Sequence, residues 1–265
     1  MNPRSAVPLA EAFPNCQHCP HRNNGPVRFC GGCAARTLKP VAAHHCPVCC
    51  QTLSSGGEQC RNKICGWTAQ SRFFTRVDTV AMLSPELSGK IKDFKYEAAP
   101  HHANWGKVFG RLILDWMEQH AGDLADIDLI LGNPTSPDRA PRRHIEHMLA
   151  AAYDEDTTGS WPIPSPKRPV LIKTRETTRS AAAGTGWSDK MRAAREHAAS
   201  LRLERPNVTA GRHILLIDDL LTTGSQMHTV AKFLIEKGRA TSVRGLVLGR
   251  VEWPDILPPA TRPVR

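Results

Sequence analysis

Two neighbouring acids and a turn rich in hydroxyl groups lie in the last third of this 265-residue chain. Asp218 and Asp219 are followed, after two leucines, by residues 222–225, which read Thr-Thr-Gly-Ser. This turn offers three hydroxyls and several main-chain amides, and Gly224 lets the backbone approach a ligand closely, so a phosphate monoester fits. Two carboxylates would repel that phosphate but suit sugar hydroxyls or a magnesium-bridged group. The pattern therefore predicts a site for a phosphorylated sugar.

The residues around this turn predict the elements that position it. Residues 214–217 form a short, branched, apolar run, which is typical of a strand buried on both faces of a sheet. Because neighbouring side chains on a regular strand point to opposite faces, we expect the strand to end at the acid pair. A helix should follow the turn, since Met227, Val230, Ala231 and Leu234 have helical spacing. Main-chain amides at its N-terminus would favour an anion.

All nine cysteines lie between positions 16 and 65, and in a reducing compartment this clustering indicates metal binding rather than disulfides. Two sets of four have the paired spacing of tetrahedral zinc sites. The first set is Cys16, Cys19, Cys30 and Cys33, and the second is Cys46, Cys49, Cys60 and Cys65. Four-thiolate sites are closed, so two structural zinc ions are expected. Cys50 is interpreted as a non-ligand; the alternatives are reduced structural cysteines, Cys50 replacing Cys49, or a nearby histidine replacing a thiolate.

The run from residue 214 to residue 226 resembles the phosphoribosyl diphosphate (PRPP) signature of type I phosphoribosyltransferases. The resemblance implies that Asp218 and Asp219 are the catalytic acids and hold the ribose hydroxyls. It also implies that the following loop binds PRPP with magnesium, through Leu220, Leu221, Thr222, Thr223, Gly224, Ser225 and Gln226. Gln226 stands where the signature usually has a small hydroxyl residue. The alternative is an ordinary strand–loop–helix crossover with a polar turn.

A second strand-like run ends at Gly132 and is followed by a polar turn, which is where open α/β sheets bind ligands. Pyrophosphate would bind there to Asn133, Thr135 and Ser136, with Arg139, Arg142 or Arg143 neutralising its charge. The alternative is a solvated basic loop that begins the next helix, predicted from residue 141. The small, polar, basic segment 173–187 would either close over a substrate or form a plain surface loop.

The order of these features along the chain resembles that of ComF-like proteins. The shared features are the cysteine knuckles, a helix ending in Lys95-Tyr96, a helix containing Gly110-Arg111-Leu112, a strand followed by a basic turn, and the PRPP run. Residues 143–147 depart from the Arg-Gly-Phe-Asn-Gln stretch usual in the family. The resemblance implies an α/β fold, in which an open, mostly parallel, type I phosphoribosyltransferase-like sheet is flanked by helices and preceded by a small double zinc-ribbon module. Members of the family are associated with DNA uptake and the handling of single strands.

We predict a double zinc-ribbon module over residues 1–80, a phosphoribosyltransferase-like domain over residues 81–252, and a proline-rich tail over residues 253–265. Residues 71–83 are expected to form a connector and residues 191–203 a helix. No apolar stretch approaches the ~20 residues that cross a bilayer, and the N-terminus lacks the apolar core of a signal peptide, so a cytoplasmic protein is expected. The formal net charge of +10 permits a polyanionic partner.

Two functions are consistent with the sequence. One is a phosphoribosyltransferase that acts on PRPP or a related sugar phosphate, mainly by positioning and electrostatics. The other is a non-catalytic nucleotide sensor or scaffold of the same fold, whose zinc module binds single-stranded nucleic acid or a helicase-like protein. The residues available for such binding are Arg61, Lys63, Arg72 and Arg76, interleaved with Trp67, Phe73 and Phe74. Alternatively, these aromatic residues complete the core of the small module.

Overall fold

The computed structural model describes residues 29, 31–54, 59–96, 101–139, 143–178, 182–184 and 186–252. Within these ranges the helices are α1 (Gly31–Thr37), α2 (Ala69–Arg72), α3 (Pro85–Tyr96), α4 (His101–Gln119), α5 (His144–Glu155), α6 (Trp187–Ala198), α7 (Pro206–Thr209) and α8 (Ser225–Glu236). The strands are β1 (Leu38–Lys39), β2 (Val77–Leu83), β3 (Leu129–Gly132), β4 (Leu171–Lys173), β5 (Leu201–Leu203), β6 (His213–Leu221) and β7 (Ser242–Arg250). Short 3-10 helices lie at Lys63–Gly66, Ala121–Leu124 and Pro137–Arg139.

Five strands form one sheet in the order β1–β2–β7–β6–β3. Strands β2, β7, β6 and β3 run parallel to one another, and β1 is antiparallel to β2 at the edge. Strands β4 and β5 form a separate antiparallel pair. Helices cover both faces of the sheet, as a parallel sheet requires. The predicted α/β fold with a mostly parallel sheet is therefore confirmed.

Strand β6 lies inside the sheet and is buried on both faces, as its apolar run predicts. Residues 214–217 have no exposed surface. The odd-numbered residues of this run pack with α3, α4 and α5, and the even-numbered ones pack with α8 and the cysteine knuckles. The prediction that the strand ends at the acids is wrong, because β6 stays paired with β7 as far as Leu221, and Asp218 pairs with Val247.

Two other predicted elements differ from the structure. The expected connector, residues 71–83, contains β2, which pairs with the distant β7. The expected helix over residues 191–203 begins earlier, at Trp187, and ends at Ala198, so that residues 201–203 form β5. In both places a long-range strand partner overrides what the local composition favours. Among the described helices, none combines the length and the apolar character needed to cross a bilayer.

The start of α3 is fixed by a side-chain cap. Ser84 Oγ accepts a hydrogen bond from the main-chain nitrogen of Leu87 at 3.0 Å, and Pro85 is the first helical residue. The cap is tied to the edge of the sheet, since Ser84 Oγ also donates to the carbonyl of Thr37 at 2.8 Å. Helix α3 therefore starts at a fixed point, and its last turn reaches the carboxyl ends of the strands with Lys95.

Candidate functional site

A cavity of about 300 Å³ lies at the carboxyl ends of β3 and β6. All of residues 218–226 line it, together with the turn 133–136 that follows β3. Helices α3, α5 and α6 supply further walls, through Lys95, His144 and His197. Open α/β sheets bind ligands at this edge, because the loops that follow parallel strands converge there.

Asp219 is held on the side of the cavity formed by α3 and α5. Its Oδ2 forms an ion pair with Lys95 Nζ and lies 2.9 Å from His144 Nε2. Burial acts to raise the pKa of Asp219, but the charge of Lys95 and the contact with His144 hold that pKa well below its usual range. Asp219 is therefore an ionised carboxylate oriented by two nitrogen groups.

Asp218 is held on the opposite side, through a relay that ends on α6. Asn133 Nδ2 donates to Asp218 Oδ2 at 2.7 Å, and His197 Nε2 lies 2.8 Å from Asn133 Oδ1. Burial, with the charge of Lys173, lowers the pKa of His197 to about 3, so its ring is neutral near pH 7. Because Asn133 Oδ1 only accepts, His197 must donate from Nε2, which turns the amide NH₂ toward Asp218.

The two neighbouring acids differ in their protonation. Burial, together with the charge of Asp219, raises the pKa of Asp218 to about 7. Asp219 has a cation beside it, whereas Asp218 has a neutral amide, and this difference separates the two pKa values. Both carboxylates face one cavity, so the site presents one permanent negative charge and one that changes near neutral pH.

The loop that follows β6 has the features of an anion site. Gly224 has a φ of 78°, in the left-handed region, and immediately precedes α8. Thr223 Oγ1 and Ser225 Oγ are 2.9 Å apart. The amides of Thr222, Thr223 and Gly224 make no hydrogen bond with any group in the described part of the chain. These amides are therefore available to a ligand at a helix N-terminus, where an anion is favoured.

Four of the predicted metal ligands come together in one cluster. The sulfur atoms of Cys46, Cys49, Cys60 and Cys65 all lie within 4.8 Å of one another. Those of Cys49 and Cys60 are 3.7 Å apart. Two sulfurs of a tetrahedral zinc site, each about 2.3 Å from the metal, would be separated by about 3.8 Å. The cluster therefore fits a zinc ion in the type, number and spacing of its donors, as the second predicted set requires.

The crowded thiols of this cluster perturb one another. Hydrogen bonds from Cys46 and Cys49 raise the pKa of Cys65 well above its usual range. Hydrogen bonds from Cys46 and Cys60 hold the pKa of Cys49 well below its usual range. Four neighbouring thiols repel one another when all are ionised, and a divalent cation among them removes that cost. The arrangement favours a metal ion over four free thiols.

Cys50 lies outside the cluster, as predicted. Its backbone is in the left-handed region with a φ of 56°, and its Sγ donates to the carbonyl of Val77 at 3.4 Å. Of the first predicted cysteine set, Cys16, Cys19 and Cys30 lie outside the described residues. Cys33 is buried on α1 and packs in the same core as Phe29. The zinc site predicted for the first cysteine set therefore stays a prediction.

The chain was compared with known proteins. No protein-family model matches it. It is 24% identical over 233 residues to the competence protein ComFC of Bacillus subtilis (strain 168), a match that covers 84% of this chain and 84% of that protein. This similarity supports the resemblance to ComF-like proteins that the order of motifs indicates.

The turn 133–136 is partly occupied by the protein itself. The main-chain nitrogen of Thr135 donates to Glu146 Oε1 at 3.1 Å. Arg143 Nη2 donates to the same oxygen at 2.6 Å. An acid thus takes both an amide and a guanidinium that were expected to receive pyrophosphate. A diphosphate at this turn would have to compete with Glu146 for both donors.

The other predicted pyrophosphate contacts have different environments. Asn133 is engaged by Asp218 and His197. Ser136 Oγ is buried and has no hydrogen-bond partner among the groups that the structure describes. The side chain of Arg139 and the whole of Arg142 lie outside the described residues. Ser136 therefore remains a hydroxyl that a ligand in the cavity would satisfy.

Several cavity residues were not predicted from the sequence as site residues. They are Lys95, His144, Lys173, Lys190 and His197. Lys95 was marked only as part of a family resemblance, and Lys173 only as part of a basic segment. Lys173 is buried and donates from Nζ to Thr177 Oγ1 at 2.6 Å. A signal was present for Lys173, a charged residue at the end of an apolar strand, whereas Lys95, Lys190 and His197 lie on helices that already contain several charged residues.

The predicted nucleic-acid contacts are partly used for packing. Arg72 and Phe74 are buried, and the Arg72 guanidinium donates to the carbonyls of Trp67 and Phe74. The ring of Trp67 packs edge-on against Trp187, with centroids 6.0 Å apart. These side chains hold the knuckle against α6 and α8. Lys63, in the loop between the third and fourth cysteines of the cluster, is exposed, as is its neighbour Arg61.

Proposed function

We propose that this ComF-like chain binds PRPP with magnesium in the cavity at the ends of β3 and β6, and transfers or recognises its phosphoribosyl group. The observation that carries the proposal is one cavity that combines an acid pair with an amide-lined loop at a helix N-terminus. The ribose hydroxyls would bind Asp218 and Asp219. The 5′-phosphate would bind the loop 222–225, so that each end of the ligand meets the chemistry it requires.

The proposed reaction needs positioning and charge stabilisation from the protein rather than a nucleophilic side chain. Asp219 would accept hydrogen bonds from a ribose hydroxyl while Lys95 and His144 keep it oriented. Carboxylate oxygens are the ligands that magnesium prefers, and the bound ion would neutralise charge on the diphosphate. Lys173 and Lys190 line the same cavity and would attract the diphosphate. These roles make the cavity suitable for a negatively charged sugar phosphate.

We also propose a cellular context. The relative ComFC is named a competence protein. On that basis, PRPP binding in the present chain would serve DNA uptake or processing in the cytoplasm. The chain would then either transfer the phosphoribosyl group of PRPP, or of a related sugar phosphate, to a nucleotide-containing partner, or bind the sugar phosphate as a signal that regulates its contact with that partner.

Isothermal calorimetry with PRPP and magnesium tests the binding. We expect the wild type to bind and Asp219→Asn to lose about 10- to 100-fold in affinity, because hydrogen bonds to a charged acceptor contribute about 1.5–3 kcal/mol. Asp154→Asn is the matched control, since Asp154 is exposed on α5 and distant from the cavity lining. It should bind as tightly as the wild type. No heat with the wild type, or equal affinity for Asp219→Asn, would contradict the proposal.

A second candidate is the non-catalytic sensor or scaffold. The observation that favours it is Glu146, which already pairs with the Thr135 amide and Arg143 at the turn expected to receive pyrophosphate. A ligand could then bind without its diphosphate being prepared to leave. The exposed Arg61 and Lys63 of the metal cluster would contact single-stranded nucleic acid or a helicase-like protein.

Gel shifts with single-stranded DNA across a salt series test this second candidate. Each phosphate contact to a single strand contributes about 0.7 to the slope of log affinity against log salt. We therefore expect the double variant Arg61→Gln/Lys63→Gln to reduce that slope by about 1.4. The matched control is Lys167→Gln/Lys237→Gln, which removes two exposed charges elsewhere. Absence of binding at low salt would eliminate single-stranded DNA as the partner in this candidate.

A further inference from the structure

Arg250, the last residue of β7, connects the metal cluster to the phosphate loop. It is fully buried. Its Nε donates to the carbonyl of Cys49 at 2.8 Å, and its Nη2 lies 3.7 Å from Cys49 Sγ. Its Nη1 donates to the carbonyls of Leu221 and Thr222 at 2.9 Å and 2.8 Å. One guanidinium therefore contacts a metal ligand on one side and the first residue of the loop 222–225 on the other.

The other half of the cluster, Cys60 and Cys65, contacts the same loop by packing. Ile64 precedes Cys65 and is fully buried. A Cβ added to Gly224 would lie 3.4 Å from Ile64 Cδ1. The pair Cys46 and Cys49 thus contacts the loop through Arg250, and the pair Cys60 and Cys65 contacts it through Ile64. Two independent contacts join one metal site to one loop.

The chemistry of arginine makes the first contact a rigid one. A guanidinium presents its donors in a fixed planar fork, whereas an ammonium is a point charge on a flexible stem. Four thiolates around a zinc ion would carry a formal charge of about −2, which stabilises a buried cation beside Cys49. The positions of Cys49 and Thr222 are consequently fixed relative to each other.

We infer that Arg250 is a positioning residue that couples metal binding at the four-cysteine cluster to ligand binding at the loop 222–225. The inference rests on the proposed function, because it assigns a sugar phosphate to that loop. A metal ion that fixes Cys49 holds Thr222 in place before the ligand arrives, and this preorganisation strengthens binding. Because equilibrium coupling is reciprocal, the ligand strengthens metal binding by the same factor.

The test measures both directions of this coupling on the full chain. Zinc affinity is measured by equilibrium competition with a chelator, with and without PRPP and magnesium. PRPP affinity is measured on zinc-loaded and zinc-depleted protein, with circular dichroism as a check on folding. We expect PRPP to raise zinc affinity roughly tenfold, and zinc removal to lower PRPP affinity by the same factor. In Asp219→Asn, which loses the ribose contact, zinc affinity should hardly respond to PRPP, and this controls for zinc binding by PRPP itself.

Two substitutions assign the coupling to Arg250. Arg250→Met removes every hydrogen-bond donor of the side chain. Arg250→Lys keeps a buried cation, but an ammonium cannot hold the carbonyls of Cys49 and Thr222 in one plane. We expect the roughly tenfold coupling to fall to about threefold or less in each variant that folds and still binds zinc, with the remainder carried by the packing of Ile64. Coupling of wild-type size in either variant would overturn the role of Arg250. Such a result would mean that the coupling arises from general unfolding of the chain when zinc is lost, which does not require this residue. PRPP binding with unchanged zinc affinity in the wild type would overturn the inference alone, and absence of PRPP binding would overturn both proposals.

Discussion

Replacing Cys49 with serine is expected to remove one zinc ion per chain and to lower the melting temperature by on the order of 10 °C. Structural zinc contributes about 10–16 kcal/mol of apparent binding free energy in small zinc modules, so losing one ligand should cost several kcal/mol. For a protein of this size each kcal/mol shifts the melting temperature by about 2–4 °C. The change should spread beyond the knuckle, because Cys49 shares a core with β6, β7 and α8.

The neighbouring residue provides the matched control for this prediction. Cys50→Ser changes the same atom one position along, but Cys50 lies outside the cluster and bonds to the carbonyl of Val77. We expect this variant to keep its zinc and to lose far less stability. Metal content by atomic absorption and thermal unfolding by circular dichroism are measured for both variants. Equal zinc content and equal melting temperatures for the two serine variants would contradict the assignment of Cys49 as a ligand.

Replacing Asp218 with asparagine is expected to abolish PRPP binding and to stabilise the fold. Burial raises the pKa of Asp218 from an ordinary value of 3.8 to about 7. Between these values the folded chain holds a proton that the unfolded chain has released, so this group lowers stability as the pH rises. The full cost is present above pH 7 and disappears below the unfolded pKa. Asparagine keeps the shape and removes the cost of the buried charge, but it replaces one of the two oxygens that accept hydrogen bonds from Asn133 and Asp219 by an NH₂ group, so only part of that cost is recovered.

The measurement compares melting temperatures at two pH values. We expect Asp218→Asn to exceed the wild type by about 2–4 °C at pH 8, for roughly 1 kcal/mol, with a smaller difference at pH 5. Wild-type PRPP affinity should rise as the pH passes through about 7, because Asp218 must ionise to accept ribose hydroxyls or magnesium. Asp154→Asn should match the wild type both in melting temperature at the two pH values and in the pH dependence of its PRPP affinity. A variant that is less stable than the wild type at pH 8 would show that Asp218 is not an unfavourable buried charge.

The central motif could be predicted from the sequence because it is local. Strand β6, the loop and α8 follow one another along the chain; the strand and the helix each have their own apolar spacing, and the loop is marked by its small hydroxyl residues. The same holds for the second cysteine set, whose four ligands all lie between residues 46 and 65. In these segments local preference and tertiary structure agree, and such agreement makes a prediction reliable.

The partners of the acid pair could not be predicted because they depend on packing between distant elements. Lys95, His144 and His197 reach the cavity from three different helices. Nothing in the sequence near residue 218 specifies which helix faces it. The extent of β6 was missed for the same reason, since its pairing with β7 continues past the acids to Leu221 and Arg250. The contact between Arg250 and Cys49 likewise joins residues from opposite ends of the described chain.

The position of β7 has a consequence for how the chain is made. This strand is the last one described, yet it lies at the centre of the five-stranded sheet, between β2 and β6. On the ribosome, β2 and β6 both emerge before β7. The edges of β2 and β6 that pair with β7 therefore stay unpaired until residue 250 is synthesised. Synthesis of the residues from the end of β6 to the end of β7 takes a few seconds at about 5–20 residues per second. A premature stop codon shortly before residue 242 would leave those edges open to aggregation rather than yield a shortened functional protein.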